Sequence, residues 1–214
     1  MALVNDQAAE SYLTIAQPGE GLFKSRGSKH FGFVFPVHSE IEIDVHLKEL
    51  RSRFPDAGHH AYAFRLGMTG EIWRASDDGE PKNSAGPPIH GALKSLQLTQ
   101  CLGVVIRYFG GTKLGVSGLI EAYREATLAA LENVQIVERF IEDEIDIHFP
   151  YDKTGPVMAA LSRWDCRTIH QSFDVTCVIR VAIATTHTAS FIRSFEEIFG
   201  VYISPVDSTG FMAK

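Results

Sequence analysis

The nine residues CLGVVIRYF (101–109) constrain the fold more than any other segment. They are apolar and β-rich, broken by the charge of Arg107, and read as a strand covered on both faces. The next two segments tighten the constraint. Residues 110–118 (GGTKLGVSG) are glycine-rich, and residues 119–131 (LIEAYREATLAAL) form an amphipathic helix with Leu119, Ala122, Tyr123, Ala126, Ala129 and Ala130 on one side. A buried strand thus delivers a glycine turn that opens a helix.

Upstream, FGFVFPV (31–37) and HAYAFRL (60–66) read as strands, with a short pairing strand from Glu71. Residues 43–54 have helical spacing, with Asp44 as the expected N-cap. SDDGEPKNSAGPP (76–88) is a loop by its turn residues, and a short helix follows over 89–96. In the C-terminal third, strands over 140–149, 166–172, 175–183 and 201–206 alternate with helices over 154–164 and 187–199. The second helix carries Phe191, Ile192, Phe195 and Phe199 on one face. The order is βαββαβ, a ferredoxin-like arrangement. The fold class is α+β. The expected domains are an N-terminal extension (1–19), a first domain (20–136), a ferredoxin-like domain (137–206) and a flexible tail (207–214).

A chain of 214 residues with 45% hydrophobic and 21% charged residues supports two such cores. The net charge of -6 excludes a wholly basic surface but leaves room for a basic patch. Cys101, Cys166 and Cys177 are odd in number, lack a C-x-x-C spacing and lie in apolar segments, which argues against disulfides and zinc. The first residues lack a signal-peptide pattern, and no stretch is long and apolar enough to cross a membrane. A cytoplasmic protein is expected.

Three constellations can carry chemistry. Arg107, Gly110, Gly111, Lys113, Gly115 and Ser117 join glycine backbone, a helix start and two cations, which suits a phosphate or carboxylate. The pattern is neither a Walker A loop nor a dinucleotide fingerprint, and the glycines serve tight packing equally well. Ser117 is placed to cap the helix.

Asp77, Asp78 and Glu80, with His60 and Ser84, form an acidic loop group. Such acids hold a cation or make Asx turns, and Asp78 or Glu80 is also placed to pair with Arg107. The calcium-loop spacing is missing, so no metal is expected. His59 and His60 face opposite ways on a strand and suit structural roles. Lys24, Arg26 and Lys29, beside His30 and interleaved with Phe23, Phe31 and Phe33, form the third group. They suit phosphates and stacked bases, or simply a charged strand edge.

The motifs AGHHAYA (57–63), SDDGEP (76–81), Ala85-Gly86, RYFGGTKLG (107–115) and GLIEAY (118–123) resemble those of the YigZ/IMPACT family. Two positions depart from its pattern: Ser84 stands where Thr is usual, and Ser117 where Gly is usual. The resemblance implies a first domain like ribosomal protein S5 domain 2, shared with elongation factor G domain IV. It implies a second domain like domain V of that factor. It further implies a translation-linked regulatory binding protein rather than an enzyme, with RNA, the ribosome or a translation-factor partner. Two alternatives stand beside it: an enzyme acting on a phosphorylated or anionic small molecule between the two loops, and a protein–protein adaptor. No cofactor is expected.

Overall fold

The computed structural model describes residues 11–206; the expected tail (207–214) and the first ten residues of the expected extension lie outside them. The chain divides into two units, one of residues 11–139 and one beginning at Phe140.

In the first unit, strands β1 (Ser11–Ile15), β2 (Gly19–Ser25) and β3 (Ser28–Pro36) precede helix α1 (Glu40–Arg53). Strands β4 (His59–Leu66) and β5 (Ile72–Ser76) lead to α2 (Gly86–Ser95), β6 (Cys101–Tyr108), α3 (Gly115–Leu131) and β7 (Ile136–Phe140). The main sheet has the order β2-β3-β6-β4-β5, every neighbouring pair antiparallel. The apolar run 101–108 is therefore its central strand. Alternation splits that strand between two cores. Leu102, Val104 and Ile106 pack with Phe33, Phe64, Ile43 and Leu50 toward α1. Val105 packs with Ala61, Ala63, Ile89, Leu119, Ala122 and Tyr123 toward α2 and α3.

Helix α3 lies close on the sheet. A β-carbon on Gly32 would run into the Ala126 carbonyl, and one on Gly21 into the backbone at Ala129 and Ala130. Two glycines on neighbouring strands thus form a flat bed for the helix.

Several boundaries differ from the sequence reading. Helix α1 starts earlier, and Ser39, not Asp44, is its N-cap: Ser39 Oγ accepts from Glu42 N at 3.3 Å, and the Glu42 carboxylate accepts from His38 N at 3.0 Å. The S-x-x-E pattern thus caps the helix, with the glutamate reaching back to the N–H of His38, one residue before the N-cap. Strand β1 falls in the stretch read as an extension and pairs with β7, which straddles the expected boundary between the domains at residue 136.

In the second unit, β8 (Glu142–Pro150), α4 (Thr154–Leu161), β9 (Cys166–Ser172), β10 (Thr176–Ala184), α5 (Thr188–Arg193) and β11 (Tyr202–Pro205) follow in turn. The sheet order β11-β8-β10-β9 is antiparallel throughout and gives the ferredoxin-like arrangement. Ile145, Ile147, Phe149, Ile179, Val181, Phe191 and Phe195 fill its core. Helix α5 is shorter than the spacing predicts. Ser194 Oγ donates to Phe191 O at 2.7 Å, so its hydroxyl competes for helix carbonyls there. Phe199 consequently leaves the core face and is 90% exposed.

Candidate functional site

Strand register assembles the site. His30 on β3 and His59 on β4 both lie directly opposite Arg107 on β6. The three side chains form a row across the central strands on the α2/α3 face. Arg107 Nη1 donates to Glu80 Oε1 at 2.7 Å, and Tyr123 OH donates to the same oxygen at 2.7 Å. All three residues are buried. His59 Nε2 lies 3.8 Å from that oxygen, and its Nδ1 lies 2.9 Å from the Asp78 carbonyl.

Charge and burial set the protonation states. Burial, then the Glu80 carboxylate, pushes the Tyr123 phenol far above its ordinary range, so it remains a donor. His30 packs edge-on to Tyr123 at 5.4 Å, and burial with the nearby Arg107 charge lowers it to about 4. His30 is therefore neutral near pH 7 and fully buried. It does not belong to the surface basic cluster in which the sequence placed it.

The acidic loop is committed to structure. Asp77 accepts from Asn83 N (2.8 Å), Ala85 N (3.0 Å) and Gly86 N (2.9 Å), so its carboxylate caps the start of α2. Asp78 accepts from His60 N at 2.7 Å and meets Arg51 at 3.2 Å. Ser84 Oγ donates to Pro81 O at 2.6 Å, closing the loop on itself. His60 is buried, which holds its pKa below the ordinary histidine value. The three carboxylates diverge to three sets of partners. Among the described residues no group of three or more His, Cys, Asp or Glu side chains is placed to hold a metal ion.

A cavity of about 430 Å³ opens above the Arg107–Glu80 pair. Its polar lining comes from His59, Glu80, Arg107 and Lys113, and its apolar lining includes Pro81, Phe109, Leu114 and Leu119. Arg107 Nε has no hydrogen-bond partner among the described residues. Phe109 is 60% exposed, with the Arg107 guanidinium 5.6 Å from its ring centre. Sequence reasoning missed Phe109, which looked like the end of a buried strand, and treated Tyr123 as plain core.

The glycine loop divides by role. Gly111 (φ +86°) and Gly115 (φ +75°) adopt backbone conformations that L side chains rarely take, with open space around them. Gly110 instead packs against Gly27 in the β2–β3 turn, and its N–H donates to Ser28 Oγ at 3.1 Å. Helix α3 begins at Gly115, so Ser117 sits inside its first turn and does not cap it; the N-cap residue, Leu114, makes no side-chain cap hydrogen bond.

The basic hairpin residues meet this loop at the tip. Arg26 stands in the turn that touches Gly110, whereas Lys24 and Lys29 pair across the hairpin on the α1 face, opposite to the cavity. Lys24, Arg26, Lys29 and Lys113 are all exposed. None of them forms an ion pair among the described residues. The interleaved aromatics do not serve as stacking platforms. Phe33 is buried, Phe31 stacks on Phe54 at 5.9 Å, and Phe23 packs against the α3 core.

The model of the Impact N-terminal domain matches residues 26–131, which contain every residue lining the Arg107 cavity. The chain is 32% identical over 167 residues to the IMPACT family member YvyE of Bacillus subtilis, covering 77% of each chain. It is 27% identical over 184 residues to YigZ of Escherichia coli, covering 85% of this chain and 90% of the relative. It is 38% identical over 126 residues to a Thermus thermophilus family member, covering 59% of this chain and 67% of that one. A crystal structure of a hypothetical protein matches with a TM-score of 0.67 at 24% identity, over 93% of this chain and 98% of the other. That likeness concerns the fold. With its match to YvyE, and with the Impact N-terminal domain spanning the Arg107–Glu80 cavity, this chain belongs to the IMPACT family.

Proposed function

We propose that the chain is a regulatory binding protein linked to translation, and that it holds single-stranded RNA across the end of its first sheet. The observation that carries this reading is a set of four exposed cations around one end of that sheet, none with an ion pair among the described residues. Lys24 and Lys29 stand on one face, Arg26 at the hairpin tip and Lys113 at the cavity rim. An RNA strand passing over the Gly27–Gly110 contact meets phosphate partners before and after it, with Phe109 exposed as a platform for one base. The apolar cavity wall beside Phe109 suits a base face, and the translational link rests on the family resemblance.

RNA binding measured by fluorescence anisotropy across a salt series tests the proposal. For Lys29→Glu with Lys113→Glu, affinity drops and the salt slope falls by about 1.4, from ~0.7 per lost phosphate contact on a single strand. An unchanged slope in the double variant refutes this surface. Enclosed polar groups also favour a second reading, in which the cavity takes an anionic small molecule between Lys113, His59 and Arg107. Thermal stabilisation by nucleotides or phosphorylated metabolites, without RNA binding, is the outcome that selects it.

A further inference from the structure

A second cavity, of about 450 Å³, opens at the opposite end of β4 from His59, with Arg65, Thr69, Lys94 and Gln97 in its lining. Arg65 shares a strand face with Ala61 and Ala63 and lies on the α2 side of the sheet; it is 7% exposed. Its Nη2 donates to Thr69 O at 2.9 Å, while Nε and Nη1 have no hydrogen-bond partner among the described residues. It forms no ion pair there either. The contrast with Arg107 is direct. Both arginines are equally buried, but Arg107 has Glu80 and Arg65 has no carboxylate partner among the described residues.

Closing the β4–β5 turn requires one N–H, and a neutral donor does that without the cost of burying a charge. The turn is nevertheless shaped around the guanidinium: a β-carbon on Gly70 (φ +72°) would collide with it. The acid next to Thr69, Glu71, is taken up by the turn, accepting from Thr69 N at 3.0 Å and Thr69 Oγ1 at 2.8 Å. Lys94, in the last turn of α2, adds a second cation, exposed at the mouth.

We infer that this cavity binds the terminal phosphate of a small molecule, with Arg65 supplying charge at depth and Lys94 at the rim. Its size suits a phosphorylated metabolite. A phosphodiester in a polynucleotide, esterified on both sides, is poorly shaped to reach a group this deep. The site is separate from the Arg107 cavity and independent of the RNA reading.

The test is an NMR titration of the 15N-labelled full chain with inorganic phosphate, at ionic strength held constant with chloride. The expected result is a saturable shift of the Thr69 and Gly70 amides and of Arg65 Nε–H. It weakens about fivefold in Lys94→Gln, as befits a rim charge, and vanishes in Arg65→Gln. A ribodinucleotide carrying one phosphodiester leaves those signals in place. Absence of a saturable shift at tens of millimolar phosphate, roughly the weak end of ligand affinity, overturns the inference. So does an equal response to the dinucleotide. If Arg65→Gln fails to fold, Lys94→Glu decides alone: unchanged phosphate affinity in that surface variant overturns the site.

Discussion

A β-carbon on Gly110 would overlap the carbonyl carbon of Gly27, so the loop after β6 and the β2–β3 turn meet backbone to backbone. This contact joins two stretches that lie far apart in sequence and fixes the hairpin tip against the glycine loop.

Gly110→Ala forces those two backbones apart. The expected cost is about 1–3 kcal/mol, the usual range for overpacking a tight contact. Urea unfolding measures the loss, and RNA anisotropy measures the accompanying fall in affinity as Arg26 moves away from Lys113.

Glu80→Gln and Tyr123→Phe separate the charge from the hydrogen bond. Removing the Glu80 charge leaves buried Arg107 uncompensated and costs roughly 3 kcal/mol. Tyr123→Phe deletes one hydrogen bond and costs about 1 kcal/mol. Equal losses in denaturant titrations would contradict the view that Glu80 serves mainly as the partner of Arg107.

His30 gives the first unit a pH dependence of known sign. Its folded pKa of about 4 lies below the unfolded value of 6.5, so between those limits the unfolded chain binds more protons. Stability from neutral His30 is complete above pH 6.5 and is lost as pH falls toward 4. The contribution is about 3.5 kcal/mol at most, from ~1.4 kcal/mol for each pH unit between the two values. His30→Phe is expected to flatten the unfolding free energy across that window, and an unchanged pH profile would rule the mechanism out.

Phe109→Ala tests the stacking platform without disturbing the core, because the ring is largely exposed. RNA affinity is expected to fall about tenfold, near the middle of the range for one base–aromatic stack, with the unfolding midpoint unchanged. Loss of stability with full RNA affinity would assign the ring to packing instead.

Much of the fold was legible because periodicity reports burial. The apolar run at 101–108, the α3 stripe and the βαββαβ pattern each carry their own period. Helix α1 lost its true start because Ser39-x-x-Glu42 lies just before the apolar rhythm begins, and α5 was overread because Phe195 stays buried in a turn beyond the helix. Strand β1 does not alternate, and β2 alternates in burial but places Gly19 and Gly21 at its inward positions, so neither shows an apolar period of two. At the site, the Arg107–Glu80 pair was among the readings the loop composition allowed. The row His30–Arg107–His59 was not, because cross-strand register is set by pairings among β3, β6 and β4 that no local window contains. Phe109 escaped for the opposite reason: its residue type argued for burial, while its place one step past β6 put it in solvent.

The glycine bed beneath α3 has a mechanical meaning. With the Ala126 carbonyl seated on Gly32 and the Ala129–Ala130 backbone on Gly21, the helix can neither sink nor roll without steric overlap. It behaves as a keyed shaft, with Tyr123 and the residues at Gly115 and Val116 turned to a fixed angle by contacts further along its length. The position of the cavity wall is thus machined at the other end of the helix, and a single added methyl at Gly32 would be read out as a displacement of the α3 start.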